Sequence, residues 1–126
     1  MPNEILNQIT QITSNTKQHK INWIQENFRT YYALRTDEDN NDIQLSIQYI
    51  PNVAPEYENI TTKLNAFLGN PRFVLQIKNV ENKEIIYKLI VEKGSEGFEE
   101  LGRLFSSIKE IEEQKAKTKL DLFISE

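Results

Sequence analysis

A chain of 126 residues with 38% hydrophobic and 10% aromatic content is the size of one domain and buries about two-thirds of its unfolded surface. Its net charge of −4 and charged fraction of 27% match neither a disordered polyelectrolyte nor the basic footprint of a nucleic-acid binder. The absence of cysteine removes disulfides, thiolate zinc sites and thiol catalysis.

Ile5, Leu6, Ile9 and Ile12 recur at helical spacing behind Asn3, a capable N-cap, and predict an amphipathic helix over residues 4 to 18. The opening MPNEILNQIT carries neither a basic leader nor a continuous apolar run, and nowhere do about 18 apolar residues follow one another. A soluble, cytoplasmic protein without membrane contact is expected.

Residues 21–36, INWIQENFRTYYALRT, change the period. Ile21 and Trp23 fall on one side of a strand, and beyond a turn at Glu26-Asn27 the positions Phe28, Thr30, Tyr32 and Leu34 alternate. The aromatics Trp23, Phe28, Tyr31, Tyr32 and Phe73 are expected in the core. The basic, glycine-rich strand motifs with which RNA-recognition domains stack bases are missing.

Residues 37–42, DEDNND, suit a turn, because short polar side chains bond their own backbone there. The next strand sets Ile43, Leu45, Ile47 and Tyr49 against Gln44, Ser46 and Gln48, and Pro51 ends it. Between Pro51 and Gly69, the series Ile60, Leu64, Phe67, Leu68 predicts a short helix. A hairpin follows, with Phe73, Leu75 and Ile77 on one side of its first strand and Ile85, Tyr87, Leu89 and Val91 on one side of its second. Ser95 caps a final helix striped by Phe98, Leu101, Leu104, Phe105, Ile108 and Ile111. Leu120, Leu122, Phe123 and Ile124 either prolong that helix or dock separately. The order α-β-β-β-α-β-β-α predicts a single α+β domain spanning residues 1–126, with an antiparallel sheet of about five strands and helices packed on it.

No catalytic or metal-binding set emerges from these elements. Asp37, Asp39 and Asn41 alternate as calcium ligands would, but Asp42 stands where an EF-hand needs glycine and Gln48 where it needs glutamate. His19 is the sole histidine and supplies one zinc ligand at most, so a helix C-terminal role is expected of it. Ser14, Ser46 and Ser106 lie outside any nucleophile-elbow pattern. Gly69, Gly94, Gly97 and Gly102 make neither a dinucleotide fingerprint nor a phosphate loop. Glu99, Glu100, Glu110, Glu112 and Glu113 are expected on the solvated face of the last helix. A non-enzymatic chain without cofactor or metal is the resulting expectation.

The second face of the strands interleaves Val74, Ile86 and Ile90 with Arg72, Gln76, Glu84 and Lys88. A half-apolar face of this kind marks partner contact when no helix or second subunit covers it. Val74, Ile86, Lys88 and Ile90 are therefore the candidate partner-binding residues, for a protein partner or for self-association as a homodimer. The alternative is a small-ligand pocket between sheet and helices, with polar contacts from Tyr32, Tyr49 or Tyr87.

The runs Lys20-Ile21-Asn22-Trp23, Arg29-Thr30-Tyr31-Tyr32-Ala33, Phe73-Val74-Leu75-Gln76-Ile77 and Phe98-Glu99-Glu100-Leu101-Gly102-Arg103-Leu104-Phe105 resemble small uncharacterised bacterial domains built as helix, β-meander and C-terminal helix. That resemblance spans nearly the whole chain and implies a single domain or an accessory part of a conflict or defence system. In element order, size and acidic balance the chain is also similar to class I type III secretion chaperones, dimers that wrap a secreted effector segment. Their leucine-rich first helix is reduced here to Ile5, Leu6, Ile9 and Ile12.

Overall fold

The computed structural model describes residues 3–51 and 70–124. The fold is α+β: helix α1 (Asn3–Lys17), strands β1 (Ile24–Asn27), β2 (Thr30–Thr36), β3 (Asp42–Ile50), β4 (Arg72–Asn79) and β5 (Ile85–Glu92), and helix α2 (Phe98–Asp121). The helix expected between Pro51 and Gly69 lies outside the described residues. The chain divides into a helical unit, holding α1 and nearly all of α2, and a sheet unit of residues 23–98.

The sheet is an antiparallel meander in which every strand pairs with its neighbour in sequence, in the order β1-β2-β3-β4-β5. Tight turns set its registers. Asp37 Oδ1 accepts the backbone N–H groups of Asp39 and Asn41, both at 2.9 Å, and so closes the β2–β3 loop. Asn79 Oδ1 does the same for Glu81 and Asn82 at 2.9 and 3.1 Å. Asn40 and Lys83 take the left-handed conformation that these reversals require, with φ of 62° at each.

One face of the sheet is core. Tyr31 pairs with Ile47 and Ile47 with Leu75, while Phe73 pairs with Val91, and all five are buried. The Phe73 ring lies between Tyr49 and Phe98, with centroids 5.0 and 5.1 Å away, in tilted contacts that favour aromatic quadrupoles.

Three expectations are corrected here. The first hairpin turns at Phe28-Arg29, not Glu26-Asn27: Asn27 pairs with Thr30, and Asn27 Oδ1 accepts the Arg29 N–H at 2.9 Å. Phe28, at the tip of that turn, is 91% exposed and belongs to no core. On β2 the buried side is Tyr31 and Ala33, whereas Tyr32 is half-buried and Leu34 exposed. Second, α2 starts at Phe98 rather than behind Ser95. Gly94 and Gly97 take φ of 90° and 95°, so left-handed glycines bracket Ser95-Glu96, and Gly97 separates Ser95 from the first helical turn.

The third correction is a register shift. Ile77 pairs with Tyr87, but Lys78 pairs with Ile85, so a bulge leaves one extra residue on β5. Ile85 is therefore carried off the face of Tyr87, Leu89 and Val91, where simple alternation had put it.

In the helical unit Ile9, Leu101, Leu104 and Ile108 are buried. The buried hydroxyls among them are satisfied internally: Thr13 and Thr16 donate to the carbonyls of Ile9 and Ile12, and Ser107 to that of Arg103. Helix α1 ends in a Schellman motif, with Lys20 N–H bonded to Asn15 O at 2.9 Å and His19 N–H to Thr16 O at 3.0 Å. His19 sits at its left-handed position with φ of 59°. Past Glu112 the helical residues are exposed, and the helix stops at Asp121 in a turn that leaves Leu120, Leu122, Phe123 and Ile124 exposed.

Candidate functional site

Cross-strand partners share a face, so the registers compose the second face row by row. One row runs Thr30, Gln48, Val74, Ile90; the next runs Ile24, Tyr32, Ser46, Gln76, Lys88; a third runs Leu34, Gln44, Lys78, Ile85. Alternation along β5 adds Ile86 to the side of Lys88 and Ile90. The four candidate residues are thus brought together: Val74 stands directly opposite Ile90, and Ile86 and Lys88 lie on the same strand.

This face carries exposed apolar side chains in both halves. Ile85, Ile86 and Ile90 are 52%, 57% and 54% exposed, and Lys88 is exposed between them. Val74 is half-buried. A polar lane of Gln44, Ser46 and Gln48 on β3 divides this β4–β5 cluster from a smaller one of Ile24, Tyr32 and Leu34. The face is therefore apolar toward its edges and amide-lined at its centre. Alternation alone missed Ile85, whose place depends on the bulge. The contribution of Ile24 and Leu34 needed the β1–β2 register.

Other candidates separate in space or find structural partners. Of the tyrosines offered as alternative polar contacts for a ligand pocket, Tyr32 lies on the second face, whereas Tyr49 and Tyr87 lie on the first. Open grooves lie among the described residues of the helical unit. One of about 330 Å³ is lined by His19, Glu110, Ile111, Gln114, Lys115 and Thr118, and one of about 270 Å³ by residues including Thr10, Lys17, Glu100 and Arg103. Neither takes in a tyrosine.

Among the acidic side chains of α2, Glu99 and Glu100 flank Arg103 at 3.6 and 4.0 Å, and Glu112 meets Lys115 at 3.3 Å. Glu100 and Glu112 are half-buried rather than on the solvated face. Such i,i+3 and i,i+4 pairs support a helix by a few tenths of a kcal/mol each. Among the described residues, no three His, Asp or Glu side chains converge as metal ligands, and no helix is long and apolar enough to cross a membrane. Thr30, buried where β2 begins, has a hydroxyl with no hydrogen-bond partner among the described residues. No family model, curated protein or solved structure matches the chain.

Proposed function

We propose that this chain is a non-catalytic protein-interaction module whose contact surface is the second face of the sheet, centred on Val74, Ile86, Lys88 and Ile90. One observation carries the reading: three isoleucines on a single strand, each more than half exposed, share a face with Val74. Apolar side chains grouped in this way gain free energy on contact, at about 25 cal/mol per Å² removed from water. Lys88 among them supplies a charge that orients a partner without desolvating the whole patch. A role as an accessory, immunity or chaperone-like protein in a bacterial or phage conflict or secretion system accords with the resemblances noted in the sequence.

Ile86→Asp tests the reading. Association, followed by sedimentation with the chain alone and with a partner isolated from its host, should fall at least tenfold, a change of about 1.4 kcal/mol. Folding stability should move by no more than about 1 kcal/mol, because the side chain is exposed. A variant that unfolds instead would place Ile86 in a core and end the proposal.

A further inference from the structure

Strand β5 is an edge. Among the described residues the only strand neighbour of this eight-residue strand is β4. Long edges with exposed apolar side chains are templates for pairing with another chain.

The direction of the open groups follows from two hydrogen bonds. Lys93 N–H donates to Pro71 O, and Asn79 N–H donates to Glu84 O, each at 2.8 Å. In an antiparallel ladder both backbone groups of a residue point to the same side and alternate along the strand. Val91, Leu89 and Tyr87 therefore spend theirs on β4, while Lys88, Ile90 and Glu92 direct theirs outward. The same three residues put their side chains on the second face.

We infer that the partner of this face is a second copy of the chain, joined by antiparallel β5–β5 pairing about a two-fold axis at Ile90. The inference rests on the interaction reading above and names its partner. A two-fold contact must be self-complementary, and the exposed series Glu84, Lys88, Glu92 ranks the registers: an axis at Leu89 sets Lys88 against Ile90 and one at Val91 sets Glu92 against Ile90, so neither matches the opposite charges. Centred on Lys88, the pairing sets lysine against lysine and Glu84 against Glu92. Centred on Ile86, it demands the Glu84 carbonyl already bonded to Asn79, beside the bulge. Centred on Ile90, it sets each Lys88 against Glu92 of the second copy, and every outward group from Lys88 to Glu92 finds a partner.

That register also joins the rows of the two sheets. Val74 and Ile90 continue into Ile90 and Val74 of the second copy as one apolar row, because Val74 already stands opposite Ile90. On either side, Arg72 and Glu92 continue into Lys88 and Gln76 of the second copy. Glu92 then lies between two cations.

The test is a charge exchange on the full chain, read by sedimentation from about 1 to 100 µM, the range over which a weak dimer forms by mass action. The unaltered chain should reach twice its monomer mass. Lys88→Glu or Glu92→Lys alone should weaken self-association at least tenfold, since each places like charges opposite each other twice. The double variant Lys88→Glu with Glu92→Lys should restore it to within about threefold, because the pairs are re-formed in reverse. Both positions are exposed, and unchanged melting temperatures would show that the fold is not the cause. A chain that stays monomeric throughout overturns the self-pairing but leaves the interaction reading standing if Ile86→Asp still abolishes binding of a host partner. A dimer indifferent to the single changes, or not rescued by the double one, also overturns it and assigns the contact elsewhere.

Discussion

Replacing Ile47 with alanine should cost about 2–5 kcal/mol of folding stability and lower the melting temperature by on the order of 10 °C. Ile47 is completely buried at the middle of β3, the central strand, between Tyr31 on β2 and Leu75 on β4. Truncation removes three carbon atoms from water-free contact and leaves a cavity that rigid strands on both sides cannot close. Stability of a domain this size is about 5–15 kcal/mol, so the loss is a large fraction of the whole. Thermal and denaturant unfolding followed by circular dichroism measure it. A loss below about 1 kcal/mol would mean that the first face is not packed as described.

Leu104→Ala should destabilise the protein by a similar amount, about 2–5 kcal/mol, while Leu120→Ala on the same helix should change it by no more than about 0.5 kcal/mol. Leu104 is completely buried and Leu120 is 60% exposed, though both belong to α2 and both are leucine. Helix propensity is nearly the same for the two exchanges, so the difference between them isolates burial. Equal effects at the two positions would contradict the division of α2 into a packed first half and an exposed second half.

The parts of the fold legible in the sequence are those where one period dominates. Ile43 to Tyr49 alternates cleanly, Phe73, Leu75 and Ile77 hold one side of β4 although Val74 between them is apolar too, and Asp37 and Asn79 supply the side-chain oxygens that close the loops after them; those strands and turns are readable for that reason. The stripe Leu101, Leu104, Ile108 likewise marked the buried side of α2. What escaped depends on single residues breaking a period. A register shift at Glu26 moves the first turn to Phe28-Arg29, and an aromatic side chain at that tip reads as core until the turn is known. The bulge at Ile85 has no composition of its own, since isoleucine suits either face of a strand.

The candidate surface was half legible for the same reason. Val74, Ile86, Lys88 and Ile90 follow from alternation, and the pairing of Val74 with Ile90 follows from the hairpin register. Ile85, Ile24 and Leu34 join them only through pairings that the linear pattern leaves open. The charge series Glu84, Lys88, Glu92 is visible in the sequence, but its meaning depends on which backbone groups β4 leaves unused.

The absence of cysteine allows a direct measurement of which face is covered. A single thiol introduced by Ile86→Cys, and another by Ile47→Cys in a separate variant, are labelled with a maleimide in dilute solution and again at a concentration where the chain associates. Labelling at position 86 should be fast when dilute and clearly slower on association, and labelling at position 47 should occur only upon unfolding. A thiol at position 86 that reacts as slowly as one at position 47 in dilute, folded protein would contradict the placing of Ile86 on an exposed face.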